Sequence, residues 1–234
     1  MTAIMKREFR AYFTGMLGFT FLTIFMLLSG VMFVVNNLLS GTSSMNGYFT
    51  SMLSWTMFIL PILTMRMFSE DKKSKTDQLL LTSPISITDM VLGKFFAAAG
   101  AFTASMAITL LYPIIMSFYS SVPFAETVSL YVGFILFSAL IIAIGAFMSS
   151  ITENQIIAAI STYGVVILLM FLDIFSSSVS NSFISKILLW ISPFDRFTDF
   201  TLGVLSIEPI IYYISAAAVF LFMTVRVFEK RRWS

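Results

Sequence analysis

Long apolar runs separated by short polar breaks dominate this chain. Six stand out: Leu17–Leu39, Tyr48–Met67, Phe95–Tyr119, Val128–Ser149, Ile156–Phe175 and Pro209–Phe228. Each approaches the roughly 20 residues that carry an α-helix across about 30 Å of hydrocarbon. The runs lack two-residue alternation, and an open strand edge finds no hydrogen-bond partner in lipid, so helices are the form expected. The pattern predicts an all-α integral membrane fold with six transmembrane helices, one domain over residues 1–234, and no internal repeat or linker. The first span lies too far from the N-terminus, and lacks the small-residue site, to be expected as a cleaved signal.

Three segments between or before the spans carry their own patterns. In residues 1–14, Met5, Phe9, Tyr12 and Phe13 share one helical face while Arg7, Arg10 and Thr14 fall opposite, which predicts an interfacial amphipathic helix. Segment 66–94 holds the densest charge, Glu70, Asp71, Lys72, Lys73, Lys75 and Asp77. Pro84 ends any helix there, and Ser86-x-x-Asp89 reads as a capping box opening the next one. Segment 176–208 begins with three serines, turns apolar from Phe183 to Ile191, breaks at Ser192-Pro193, and continues through Phe197 and Phe200. Apolar stretches this short suggest re-entrant or interfacial helices. The plainer alternatives are topology-setting charge, a solvated hairpin and an ordinary loop, respectively.

Composition agrees with lipid as the solvent: 58% of residues are apolar and 11% charged, against about 45–50% and about 25% in soluble domains. Cysteine and histidine are both absent, which excludes disulfides, thiolate or imidazole metal sites, and the commonest general base. The net charge of +2 matters less than its placement. Lys6, Arg7 and Arg10 precede the first span. Arg66, Lys72, Lys73, Lys75 and Lys94 lie between the second and third, and Arg226, Lys230, Arg231 and Arg232 follow the sixth. These are twelve of the fourteen basic residues; only Lys186 and Arg196 lie on the opposite side. The positive-inside rule then puts both termini and segment 66–94 in the cytoplasm, the expected membrane being the prokaryotic plasma membrane. The basic residues serve topology, and no nucleic-acid partner is expected.

Chemistry is sparse. There is no G-x-x-x-x-G-K-[ST] phosphate loop, since Gly93-Lys94 is followed by Phe95, so the chain carries no ATPase. No acidic or basic residue sits at mid-span, where ion-coupled carriers need one. Asp195 and Asp199 flank Arg196, and a surface salt network explains them better than carboxylate catalysis. Asp173 reads as an interface residue. Small residues at Ala97–Ala101, Ala139, Ala143, Gly145-Ala146 and Ala216–Ala218 permit close helix packing. Scattered hydroxyls such as Ser54, Thr56, Ser161 and Thr162 suit an apolar or amphiphilic cargo.

Four stretches resemble a known family: Lys6 to Phe13; Thr76-Asp77-Gln78-Leu79-Leu80-Leu81-Thr82-Ser83-Pro84-Ile85 continuing to Val91–Phe95; Ser149 to Ala159; and Ile191 to Phe197 through Gly203-Val204-Leu205 with the basic end. In order and position they resemble the permease subunit of type-2 ABC exporters, in the gliding-motility-type branch. The chain departs from the family where Gly is usual and Lys75 stands, where Glu is usual and Gln78 stands, and where a His near Asp195 is usual.

The resemblance implies an N-terminal interfacial elbow helix over 1–14, a cytoplasmic coupling helix within 66–94, and outer re-entrant helices within 176–208. It implies a cytoplasmic ABC ATPase subunit holding ATP and Mg, a second permease copy or homologue, and no cofactor on this chain. Residues expected at the ATPase interface are Glu70, Asp71, Lys72, Lys73, Thr76, Asp77, Gln78, Leu79 and Thr82, with a secondary contact at Glu153 and Asn154. An outer gate is expected at Pro193, Phe194, Phe197 and Phe200. The competing readings are an ABC complex doing mechanical or signalling work, a self-contained secondary carrier, and a membrane scaffold.

Overall fold

The computed structural model describes residues 1–76, 86–178 and 182–232. Helices cover nearly all of them, and among the described residues there is no strand. In chain order they are α1 (Thr2–Thr14), α2 (Met16–Phe33, prolonged by a π-turn at Val34–Leu38), α3 (Asn46–Thr64), α4 (Ser69–Lys73), α5 (Ile87–Thr109) and α6 (Leu111–Ser117). Then come α7 (Phe124–Ile151), α8 (Gln155–Ser178), α9 (Ser182–Ile191), α10 (Pro193–Thr201) and α11 (Ile207–Arg232). Six segments are long and apolar enough to span a membrane: Gly18–Leu38, Asn46–Lys73, Ile87–Ser117, Phe124–Ile151, Gln155–Ser176 and Ile207–Arg231. They match the six runs read from hydropathy. One boundary differs in a way that matters. Ser86 caps α5 by accepting a hydrogen bond from Asp89 N at 3.0 Å, so the helix opens at the expected capping box, at Ile87 rather than at the hydropathy edge Phe95, and Lys94 lies two turns inside it.

The spans are unequal. In α7, 72% of the membrane-length window is buried within the bundle, against 22% in α8 and in α11. α7 is therefore the central post. Phe134, Phe137, Leu140, Ile141, Ile142 and Ile144 on it are all sealed from solvent, and α3, α5, α8, α10 and α11 pack around it. Gly133 gives Phe200 its seat: a Cβ there would lie 2.5 Å from the Phe200 ring.

Each of two prolines inside spans removes a helical donor, and a tyrosine from a neighbouring span bonds a carbonyl of the turn before it. Pro113 cannot donate to Thr109 O, and Tyr131 of α7 does so at 2.8 Å. Pro61 cannot donate to Met57 O in α3, and Tyr163 of α8 donates to the next carbonyl, Phe58 O, at 2.7 Å. These bonds tie α7 to α5 and α8 to α3 at the points where each helix is weakest.

The short α1 runs along α5. Ile4 rather than the Met5–Phe13 stripe is its most buried residue, resting against Gly93. The chain then turns at the extended Gly15 into α2. A Cβ at Gly18 would fall 1.5 Å from Tyr12 O, so the close return of α2 past α1 admits no side chain at that position.

Candidate functional site

The charged segment and the ends of the chain meet at one end of the bundle, the near face. Lys94 is at its centre, 3% exposed. Its ammonium donates to Met67 O at 2.7 Å and lies 2.6 Å from Asp71 Oδ2 and 3.3 Å from Glu8 Oε1. Asp71 Oδ2 meets it outside hydrogen-bond geometry, so that contact is an ion pair held by charge. The ammonium also stands 5.4 Å above the Phe68 ring. One cation thus joins α1 through Glu8, the segment after α3 through Met67, α4 through Asp71, and its own α5. Glu8 is shared with Arg7 Nη2 at 2.6 Å. Burial pushes the neighbouring Tyr12 hydroxyl up, and the Glu8 carboxylate adds to the shift.

A second clamp binds the same segment to α7. Ser149 Oγ accepts from Phe68 N and Ser69 N, both at 3.0 Å, and donates to Met65 O at 3.1 Å. Lys72, buried, donates to Ser150 O at the C-terminus of α7, where a cation completes the unpaired carbonyls and favours the helix dipole. Its ammonium lies 5.6 Å over Phe228 of α11. Arg66 and Glu70 pair along the outside at 2.7 Å.

Beyond these clamps the segment comes into the open. Lys73, Ser74, Lys75 and Thr76 are exposed. Ser74 and Thr76 hydroxyls share a hydrogen bond at 2.9 Å, and Ser74 Oγ donates to Glu70 O at 2.9 Å. Lys75 has a φ of 57°, a left-handed conformation that a lysine adopts at a cost of about 1–2 kcal/mol.

The structure divides the residues expected at the partner interface. Lys73 and Thr76 are open, and Glu70 is partly so. Asp71 and Lys72 turn inward to the two clamps, because the bundle supplies each with an opposite charge or a helix-end carbonyl. Asp77, Gln78, Leu79 and Thr82 lie outside the described residues. Glu153 and Asn154 are exposed on the adjacent turn between α7 and α8. Asn154 Oδ1 accepts from Ile156 N at 2.9 Å to cap α8, and Glu153 faces Arg231 at 3.5 Å. Among the described residues no three acidic side chains gather to hold a metal ion.

The opposite end, the far face, holds the aromatic residues expected at a gate. Phe197 and Phe200 are buried, Pro193 is buried and Phe194 half-buried. They surround Phe137 of α7, at 5.4 Å from Phe194 and 6.4 Å from Phe197. Tyr213 of α11 donates to Pro193 O at 2.5 Å. Nearby, partial burial raises the Asp195 carboxyl, the Asp173 and Asp199 carboxylates raise it further, and Arg196 opposes them.

Sequence reasoning missed Glu8 and Lys94 as partners. Their signals were present, a lone acid in a basic helix and a lone lysine past a cap in an otherwise apolar run. Pairing them required the fold.

Six apolar helices, one of them the buried post α7, define a multi-pass helical membrane protein. The profile of the family described as ABC-2 family transporter protein matches residues 36–227. The chain belongs to that family, the membrane permeases of ABC transporters. No curated protein matches it.

Proposed function

We propose that this chain is the permease subunit of an ATP-driven exporter whose ATPase is a separate cytoplasmic chain carrying ATP and Mg. The near face is cytoplasmic in the plasma membrane, and the permease works as a pair with a second copy or a homologue. The gliding-motility-type branch is the closest reading of its motifs. The observation that supports coupling is the double clamp on segment 65–72. The exposed tip, Glu70, Lys73 and Thr76 with Asp77, Gln78, Leu79 and Thr82 beyond it, meets the ATPase, and Glu153 and Asn154 add a side contact. Asp71 and Lys72 act behind the tip. A displacement of the tip is carried by Lys94 to α1 and α5, and by Ser149 and Lys72 to α7. At the far face Pro193, Phe194, Phe197 and Phe200 form the plug that must open for cargo to leave.

The test is a pull-down of the tagged chain from mildly solubilised membranes with mass spectrometry of what co-purifies. A stoichiometric soluble ATPase bearing a phosphate loop is the expected result, and a second permease sequence would reveal a heterodimer. Recovery of the chain with no ATPase contradicts the proposal.

A further inference from the structure

A groove of about 710 Å³ opens on the far half of the bundle between α7, α8, the α9–α10 corner and α11, within the size range of small-molecule sites. Its walls are apolar, with Leu140, Leu169, Ile211 and Val219 along them. Its mouth carries two opposite charges. Arg196 Nη1 pairs with Glu208 Oε1, and the guanidinium lies 5.9 Å from the Tyr212 ring.

The two charges are presented differently. The Arg196 side chain is only 13% exposed, whereas Glu208 is 68% exposed. Arg196 Nε is buried with no hydrogen-bond partner. Glu208 takes one corner of the guanidinium, and the edge bearing Nε, the edge that grips an oxyanion with two parallel bonds, is unclaimed among the described residues. A desolvated cation with unused donors at the top of an apolar groove complements a phosphate joined to acyl chains. A purely anionic headgroup would also meet the carboxylate of Glu208, which lines the same groove, so the phosphate needs a compensating positive group on the same molecule. Glu208, open to solvent, accepts hydrogen bonds from a primary ammonium. A quaternary ammonium would need an aromatic cage closed around it; of the rings that line the groove, Trp190, Tyr212 and Phe220, the Tyr212 ring is already engaged by Arg196.

We propose that this groove holds one zwitterionic phospholipid with a primary-amine headgroup, drawn from the bilayer leaflet at the far face. The phosphate sits on Arg196, the ammonium on Glu208, and an acyl chain lies along Leu169 and Val219. This site stands apart from the near-face clamps and does not depend on how the complex is energised.

The test is native mass spectrometry of the full-length protein, delipidated and titrated with phosphatidylethanolamine, phosphatidylcholine and phosphatidylglycerol of identical acyl chains. The expected result is one tightly held phosphatidylethanolamine, bound on the order of tenfold more strongly than the other two, a difference of about 1.4 kcal/mol. Arg196→Gln removes the tight site for all three lipids. Glu208→Gln keeps lipid binding but abolishes the preference for the primary amine over choline. Equal retention of the three lipids by the wild-type protein would show ordinary annular lipid and overturn the proposal, whether or not the variants fold. Preference for phosphatidylglycerol would overturn the zwitterion assignment. A preference for phosphatidylethanolamine that survives both substitutions would place its site elsewhere and overturn the proposal as well.

Discussion

The two ends of the bundle are held by different physics. At the near face the ties are directional and charged: Lys94 between Asp71, Glu8 and Met67 O, Lys72 on Ser150 O, and Ser149 on two backbone amides. At the far face the ties are mostly rings in contact, Phe137 with Phe194, Phe197 and Tyr213, and Phe200 with Phe197 and Tyr213. A buried charge network has few acceptable arrangements, because a half-broken one strands an ion. It therefore moves as a unit. An aromatic pack holds by area and dispersion, and one ring can slide without stranding a charge. The near face is suited to carrying a displacement, and the far face to closing and reopening.

Substitutions sharpen that contrast. The largest loss is expected from Lys94→Met, which leaves Asp71 without its cation beside Glu8, itself then held by Arg7 alone, and costs about 3–5 kcal/mol. A thermal-unfolding assay should show a clear fall in Tm, and the co-purified ATPase should lose its stimulation. Phe200→Ala opens a cavity over Gly133 at a similar cost of about 3–5 kcal/mol. It differs in kind: Tm falls while ATPase stimulation stays near wild type. If both variants change ATPase activity equally, the division of labour between the ends is wrong. Ser149→Ala strands two buried backbone amides and should cost about 1–3 kcal/mol by the same unfolding assay. Lys75→Gly goes the other way, relieving the left-handed lysine and raising stability by about 1 kcal/mol. The smallest effect is electrostatic and lies at the far face. The folded state holds the Asp195 carboxyl above its ordinary pKa, so it binds that proton more tightly than the unfolded chain does. Its contribution to stability therefore grows as pH falls through the raised folded value and is complete below the ordinary carboxylate value. Asp195→Asn should flatten that part of the Tm-against-pH curve.

The sequence made the spans legible because a stretch of some twenty apolar residues has little choice but to cross a bilayer as a helix. The Ser86–Asp89 cap was legible because its partners are three residues apart, and it located the start of α5 better than hydropathy did. What escaped was everything that depends on which residues meet. Asp71 and Lys72 sit in a charge run that looks uniformly solvated, yet one faces Lys94 and the other the end of α7. Phe197 and Phe200 read as gate residues, and the same hydrophobicity makes them the packed core of the far face. Ile4 falls outside the apolar stripe of α1, and only its partner Gly93, on a different helix, makes it the most buried residue there. Within one charged segment, burial is decided by the helix beneath, which a linear pattern does not name.

The chain contains no cysteine, which allows a direct test of the claim that the near-face tip meets the ATPase. Single substitutions Lys75→Cys and, at the exposed far-face control position, Leu202→Cys would be treated in native membranes with a short amine- and thiol-reactive cross-linker, and the adducts identified by mass spectrometry. The account predicts an ATPase adduct from Lys75→Cys and none from Leu202→Cys. Failure of Lys75→Cys to capture an ATPase that co-purifies with the chain would contradict it.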